Sequence, residues 1–170
     1  MIFGMSLATF TFVHVLISLL GIFSGVVVVY GMLSGKQFEK WTAFFLVMTV
    51  ATSVTGFGFP FHKLLPAHVI GFLSLIILVP TILALYAFHL AGAWRWIYVI
   101  GALIALYFNV FVLIVQTFLK VPVFNALAPT QSEPPFVVAQ LFLLALFIFV
   151  ATLAVKKSRH PSTPVIAPAR

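Results

Sequence analysis

The sequence predicts an all-α integral membrane bundle of five transmembrane helices, and three observations predict it. The chain of 170 residues is 64% hydrophobic and 6% charged, with a mean hydropathy of +1.26. Soluble domains carry roughly a quarter charged residues, so nine Lys and Arg with two acidic residues cannot clothe a water-facing surface, and lipid must cover most of it. Second, the apolar residues fall into five runs, at about 7–33, 41–59, 67–91, 97–119 and 136–155, each near the roughly 20 residues that cross a hydrocarbon core. Third, the charges lie between and after those runs, at helix ends and in the tail.

The first run contains no Lys or Arg, and none precedes Lys36. A secretory signal peptide would need a basic leading segment and a shorter apolar core, so this run is expected to stay as helix one. Thr11, His14, Ser18, Gly21 and Gly25 follow one another by three or four residues and share a face. The Gly21-x-x-x-Gly25 pair lets another helix approach closely. A polar loop from Ser34 to Lys40 leads to helix two, with Trp41 at the interface and a stripe of Thr42, Thr49, Thr52, Ser53 and Gly56 suited to packing across a seam. Gly56, Gly58 and Pro60 end that helix.

Helix three, PAHVIGFLSLIILVPTILALYAFHLA, carries no formal charge between its ends, with His68 and His89 near them and Pro80 in the middle. Proline has no N–H, so the carbonyl of Ile76 loses its usual partner and a kink is expected there. A turn from Gly92 to Arg95 with Trp94 and Trp96 leads to helix four, where Ala102, Ala105, Asn109, Gln116 and Lys120 share one face that grows more polar toward Lys120. The connection KVPVFNALAPTQSEPP has four prolines and is the longest; connections of this length are often functional. Ser132 or Pro134 opens helix five, since proline is harmless in a first turn. The remainder, 156–170, reads as a disordered basic cytoplasmic tail rich in proline.

Lys and Arg count toward the cytoplasmic side. With the C-terminus inside, that side holds Lys36, Lys40, Arg95, Lys156, Lys157, Arg159 and Arg170, against Lys63 and Lys120 outside. Seven against two gives N-outside, C-inside. The outer half then gathers His14, His62, Lys63, His68, Gln116, Lys120, Glu133 and Gln140, while His89 falls near the inner surface.

These residues define a candidate polar pocket in the outer half, lined by His14, His68, Gln116, Lys120 and Gln140 with Glu133 nearby. His14 and His68 are the haem candidates, because neutral imidazoles on facing helices hold a b-type haem; the simpler expectation is one interhelical hydrogen bond for each. His68 and His89 are about 31 Å apart along a helix at 1.5 Å rise and cannot share one metal. Lys63, Lys120 and Glu133 can pair beneath the outer loops, although exposed pairs contribute little. Asn109, mid-helix, reads as packing glue.

Absent cysteines exclude disulfides, iron–sulfur clusters and thiolate metal sites. The basic residues form no single face, so the net charge of +7 does not point to nucleic acid. The chain holds no aspartate, its two glutamates fall in loops, and no P-loop, G-x-G-x-x-G, H-E-x-x-H or G-x-S-x-G motif occurs. Paired-carboxylate catalysis is therefore not expected. Along KVPVFNALAPTQSEPPF and the preceding YFNVFVLIVQTF, over helices three to five, the chain resembles small bacterial multi-pass membrane proteins usually called hypothetical. That resemblance implies a bacterial inner-membrane location and brings no activity, cofactor or site. The sequence thus points to an accessory or small-molecule-binding membrane protein. The alternatives are a b-type haem- or quinone-binding redox protein and a small-solute transporter. The lipid bilayer is the expected partner, and the small-residue seams allow homo- or hetero-oligomers.

Overall fold

A computed structural model of the chain describes residues 4–59 and 66–158. Among them it has six helices and no strand: α1 (Leu7–Ser34), α2 (Glu39–Gly56), α3 (Pro66–Tyr86), α4 (Trp94–Lys120), α5 (Pro122–Leu127) and α6 (Pro134–Ser158). Four helical stretches are long and apolar enough to cross a membrane: α1, His68–Tyr86 of α3, α4 and α6. The 18-residue α2 is less apolar, because it opens on Glu39 and Lys40 and carries Thr42, Thr49, Thr52, Ser53 and Thr55. Glu39, expected in a loop, therefore belongs to the first turn of a helix, where a carboxylate complements the helix dipole.

The elements begin and end where local chemistry directs. The Ser6 hydroxyl accepts the Thr9 N–H at 3.1 Å and caps α1. At the other end of α1, Gly35 takes φ of 71°, and the Lys36 N–H donates to the Gly31 carbonyl at 2.9 Å; this left-handed C-cap suits glycine. α3 remains helical through Pro80 but stops at Tyr86, five residues before the expected end. His89 and Leu90 both have positive φ, and the Leu90 N–H turns back onto the Ala84 carbonyl at 2.9 Å. The proline-rich connection is not irregular throughout. Pro122 starts the single-turn α5, and Asn125 Nδ2 donates to the Phe118 carbonyl at 3.2 Å at the end of α4. α6 opens at Pro134 and continues through Lys156 and Lys157, past Val155 where the sequence placed its end. His62, Lys63, Pro60 and the tail from Arg159 onward lie outside the described residues.

α4 is the central helix and touches every other one, with the largest remaining interface between α1 and α2. Its buried residues, including Val99, Ala102, Leu103, Ala105 and Leu106, form the core with Phe45 and Leu46 of α2, Leu78 and Ala84 of α3 and Val28 of α1. Lipid is as apolar as these side chains, so close packing and interhelical hydrogen bonds hold the helices together rather than water exclusion. The expected Gly21–Gly25 seam lies against α2 and α4, and its close approach is at Gly25. A Cβ added to Gly25 would meet Leu106 Cδ1 at 2.6 Å and the Phe45 ring at 2.8 Å, and one on Gly21 would meet Met48 Cβ at 3.5 Å. On α4, Asn109 Nδ2 donates to Thr49 Oγ1 at 3.4 Å and the Tyr98 hydroxyl donates to Thr42 Oγ1 at 3.4 Å. Thr42, Thr49 and Ser53 are all buried, so the hydroxyls that make α2 less apolar face protein.

Candidate functional site

The bundle has polar residues at both ends. At the end where α1 starts, His14 Nδ1 lies 2.7 Å from Thr55 Oγ1. The Thr55 hydroxyl also reaches the Ala51 carbonyl at 2.7 Å and the Thr52 carbonyl at 3.2 Å. With its proton directed to Ala51, the hydroxyl oxygen accepts from a protonated Nδ1; the other tautomer of His14 would accept the Thr55 proton instead. The ring also packs edge-on against Phe59, with centroids 5.2 Å apart. His68, buried at the start of α3, stacks on Phe57 with centroids 6.3 Å apart. The two imidazoles thus rest against different residues of the end of α2, which packs on both α1 and α3.

The amides of this end divide between two sides of α4. Asn109 lies at the level of Gly21. Seven residues further along α4 is Gln116, and seven residues back along the antiparallel α1 is His14; two helical turns each bring this pair to one depth on the shared face. Lys120, one turn on, is within electrostatic reach of His14. Gln140 of α6 instead donates to the Phe111 carbonyl at 3.4 Å. Phe111 and nearby Val115 are roughly 100–140° around α4 from Gln116. Glu133 turns into its own loop, where it accepts the Thr130 N–H at 3.1 Å, the Thr130 hydroxyl at 2.9 Å and the Ser132 N–H at 3.1 Å. Partial desolvation pushes the Glu133 carboxyl up, and these hydrogen bonds outweigh it and hold the pKa below the usual value. Among the described residues, four buried side-chain oxygens lack a hydrogen-bond partner: Thr52 Oγ1, Ser74 Oγ, Gln116 Oε1 and Gln140 Oε1. Gln131, which the sequence did not single out, adopts φ of 60° and donates to the Val115 carbonyl at 2.9 Å, tying the connection before α6 to α4.

The opposite end, where α1 turns into α2 and α3 into α4, holds a cavity of about 750 Å³. Pockets for small molecules run roughly 300–1,000 Å³. Its composition is graded. Val28, Val99 and Ala154 on its walls are buried, and Met32, Leu85 and Leu90 extend the apolar surface. The buried Thr42 and Tyr98, joined by their hydroxyl contact, add a polar step. Lys36, Glu39, Arg95 and Lys157 carry the charge of the lining, and Lys36, Glu39 and Lys157 are exposed. Arg95 Nη1 donates to the Ser158 carbonyl at 3.2 Å, which fixes the guanidinium between α4 and the end of α6.

Sequence reasoning did not see Lys36, Arg95 and Lys157 as one site. The signal present was their concentration at the same end of the bundle. Among the described residues, no group of three or more His, Asp or Glu side chains could hold a metal ion. Comparison of the chain with protein-family models, curated proteins and solved structures finds no match.

Proposed function

We propose that the protein is a five-span integral membrane protein, N-outside and C-inside, that binds a small amphiphilic molecule in the cavity beside Arg95. The cavity is the observation that carries this reading: apolar walls lead through buried hydroxyls to a charged rim, the gradient an amphiphile presents in reverse. α2 is the fifth span. Its 18 residues extend about 27 Å at 1.5 Å per residue, close to the ~30 Å hydrocarbon core, and its buried hydroxyls are turned away from lipid. The sequence count of Lys and Arg, seven on the side expected to carry the C-terminus against two on the other, supports the cytoplasmic assignment of that side. A bacterial inner membrane accords with the resemblance in the second half of the chain. The expected role is binding or accessory, because neither glutamate has a second carboxylate to work with.

Two measurements test this. A reporter inserted in the connection between Lys120 and Pro135 should read as non-cytoplasmic; a cytoplasmic signal overturns the orientation. A thermal-shift screen of the detergent-purified protein against fatty acids, lysolipids and phospholipids should find at least one stabilising amphiphile. A flat screen overturns the binding reading.

A second reading is favoured by the buried, unpartnered Gln116 Oε1 level with His14. The group His14, Gln116 and Lys120 would take a molecule that donates a hydrogen bond to the amide, such as a quinol, or His14 would offer Nε2 to a haem. Bound haem or quinone would show in the absorbance spectrum of the purified protein. A preparation with neither signature, from cells supplied with haem and quinone, overturns it.

A further inference from the structure

Resting on the binding reading above, we infer that the ligand of the Arg95 cavity is a phosphate-monoester lipid of the cytoplasmic leaflet, a phosphatidate-like anion. The rim has three cations, Lys36, Arg95 and Lys157, and one carboxylate, Glu39, leaving a surplus of two positive charges. A phosphate monoester carries about −1.5 to −2 near neutral pH, which matches that surplus better than the single charge of a carboxylate or a phosphate diester. The cations come from three separate segments, the α1–α2 turn, the start of α4 and the end of α6, so they surround one volume rather than line one helix face.

The backbone adds to this field. α2 begins at the cavity, and neither α2 nor α4 has a side-chain hydrogen bond capping its N-terminus. The first-turn N–H groups of α2 favour an anion, whereas at α4 the Trp94 and Trp96 N–H groups already donate to the Ala91 and Ala93 carbonyls. Arg95 is held by its bond to the Ser158 carbonyl, and an immobilised guanidinium loses less entropy on meeting a phosphate. The Lys157 stem packs near Gly35, whose added Cβ would lie 3.6 Å from Lys157 Cε, so this ammonium too is positioned across the rim. Below the charges, Val28, Met32, Leu85 and Val99 supply the surface that an acyl chain covers.

The test is lipid retention measured by native mass spectrometry on the full chain extracted from nanodiscs. Phosphatidylcholine discs are doped in parallel with phosphatidate, with phosphatidylglycerol or with nothing, and a further arm adds inorganic phosphate to undoped discs. Phosphatidate should be retained in preference to both other lipids. Replacing Lys36→Gln and Lys157→Gln together should weaken that preference by roughly tenfold or more, since each basic residue facing an anionic lipid adds to its hold. Lys40→Gln, an exposed cation at the same end that does not line the cavity, should leave it unchanged.

Equal retention of phosphatidylcholine and phosphatidate overturns the anion inference while leaving amphiphile binding intact. Equal retention of phosphatidate and phosphatidylglycerol overturns the monoester inference alone. Binding of inorganic phosphate without lipid overturns the lipid source. An equal effect of Lys40→Gln shows surface attraction rather than a built site, and no retained ligand in any arm overturns the binding reading with it.

Discussion

A Cβ on Gly101 would coincide with the hydroxyl of Thr81, next to Pro80 in the middle of α3. Thr81 is fully buried and donates its hydroxyl proton to the Ile77 carbonyl at 2.7 Å. A β-branched side chain fixed in this way cannot swing aside at low cost. Gly101→Ala should therefore separate α3 from α4 and destabilise the bundle by about 1–3 kcal/mol, the usual cost of overpacking. Thr81→Ala should relieve most of that loss in the double variant. Steric-trap or SDS unfolding of the four members of the cycle measures the coupling; additive effects would mean that the two residues do not compete for one space.

His89 is exposed and holds φ of 49°. A non-glycine residue in the left-handed region loses roughly 1–2 kcal/mol, and glycine gives back about 0.5–1 kcal/mol of that through its freer unfolded chain. His89→Gly should raise stability by up to about 1 kcal/mol. The same substitution in mid-helix would lower it, so a rise in Tm in detergent checks the turn geometry directly.

Asn109 and Thr49 join α4 to α2 near the middle of the bundle. Hydrogen bonds of this kind within membranes average about 0.6 kcal/mol and reach about 1.7. Asn109→Leu should lose that amount with the fold intact, and Thr49→Val should add little in the Asn109→Leu background. Unfolding midpoints of the single and double variants supply the comparison.

Glu133 connects stability to pH. Its folded pKa is lowered, so its contribution is present above the unfolded value of about 4.3 and is lost as pH falls through the folded value. In Glu133→Gln the loop donors Thr130 and Ser132 meet a neutral acceptor. That variant should be less stable than the parent near neutral pH, and the gap should close on acidification. Melting curves across that range check the sign.

The sequence made the helical class legible, because so little charge over so many apolar residues leaves few alternatives. It also showed the close-packing positions. Gly21 and Gly25, and the stripe from Thr42 to Ser53, could be read from three- and four-residue spacing, and they are where α1, α2 and α4 meet. It was less informative where a non-glycine backbone turns left-handed. Apolarity alone carried helix three to Ala91, whereas positive φ at His89 and Leu90 follows from the tertiary turn. The short α5 was concealed among prolines that read as loop. For the candidate sites, periodicity placed Gln116 and Lys120 on the face of Asn109, but it could not show that Gln140 approaches α4 from another side. The Arg95 cavity draws on residues distant in sequence, from Val28 to Ser158, and no local spacing announces such a convergence.

The Arg95–Ser158 hydrogen bond has a practical corollary for anyone handling the molecule. It anchors Ser158 beside the mouth of the cavity, so trimming the chain back into the end of α6 would remove the carbonyl that holds the guanidinium. Assays of occupancy are better run on a chain that keeps the whole of α6.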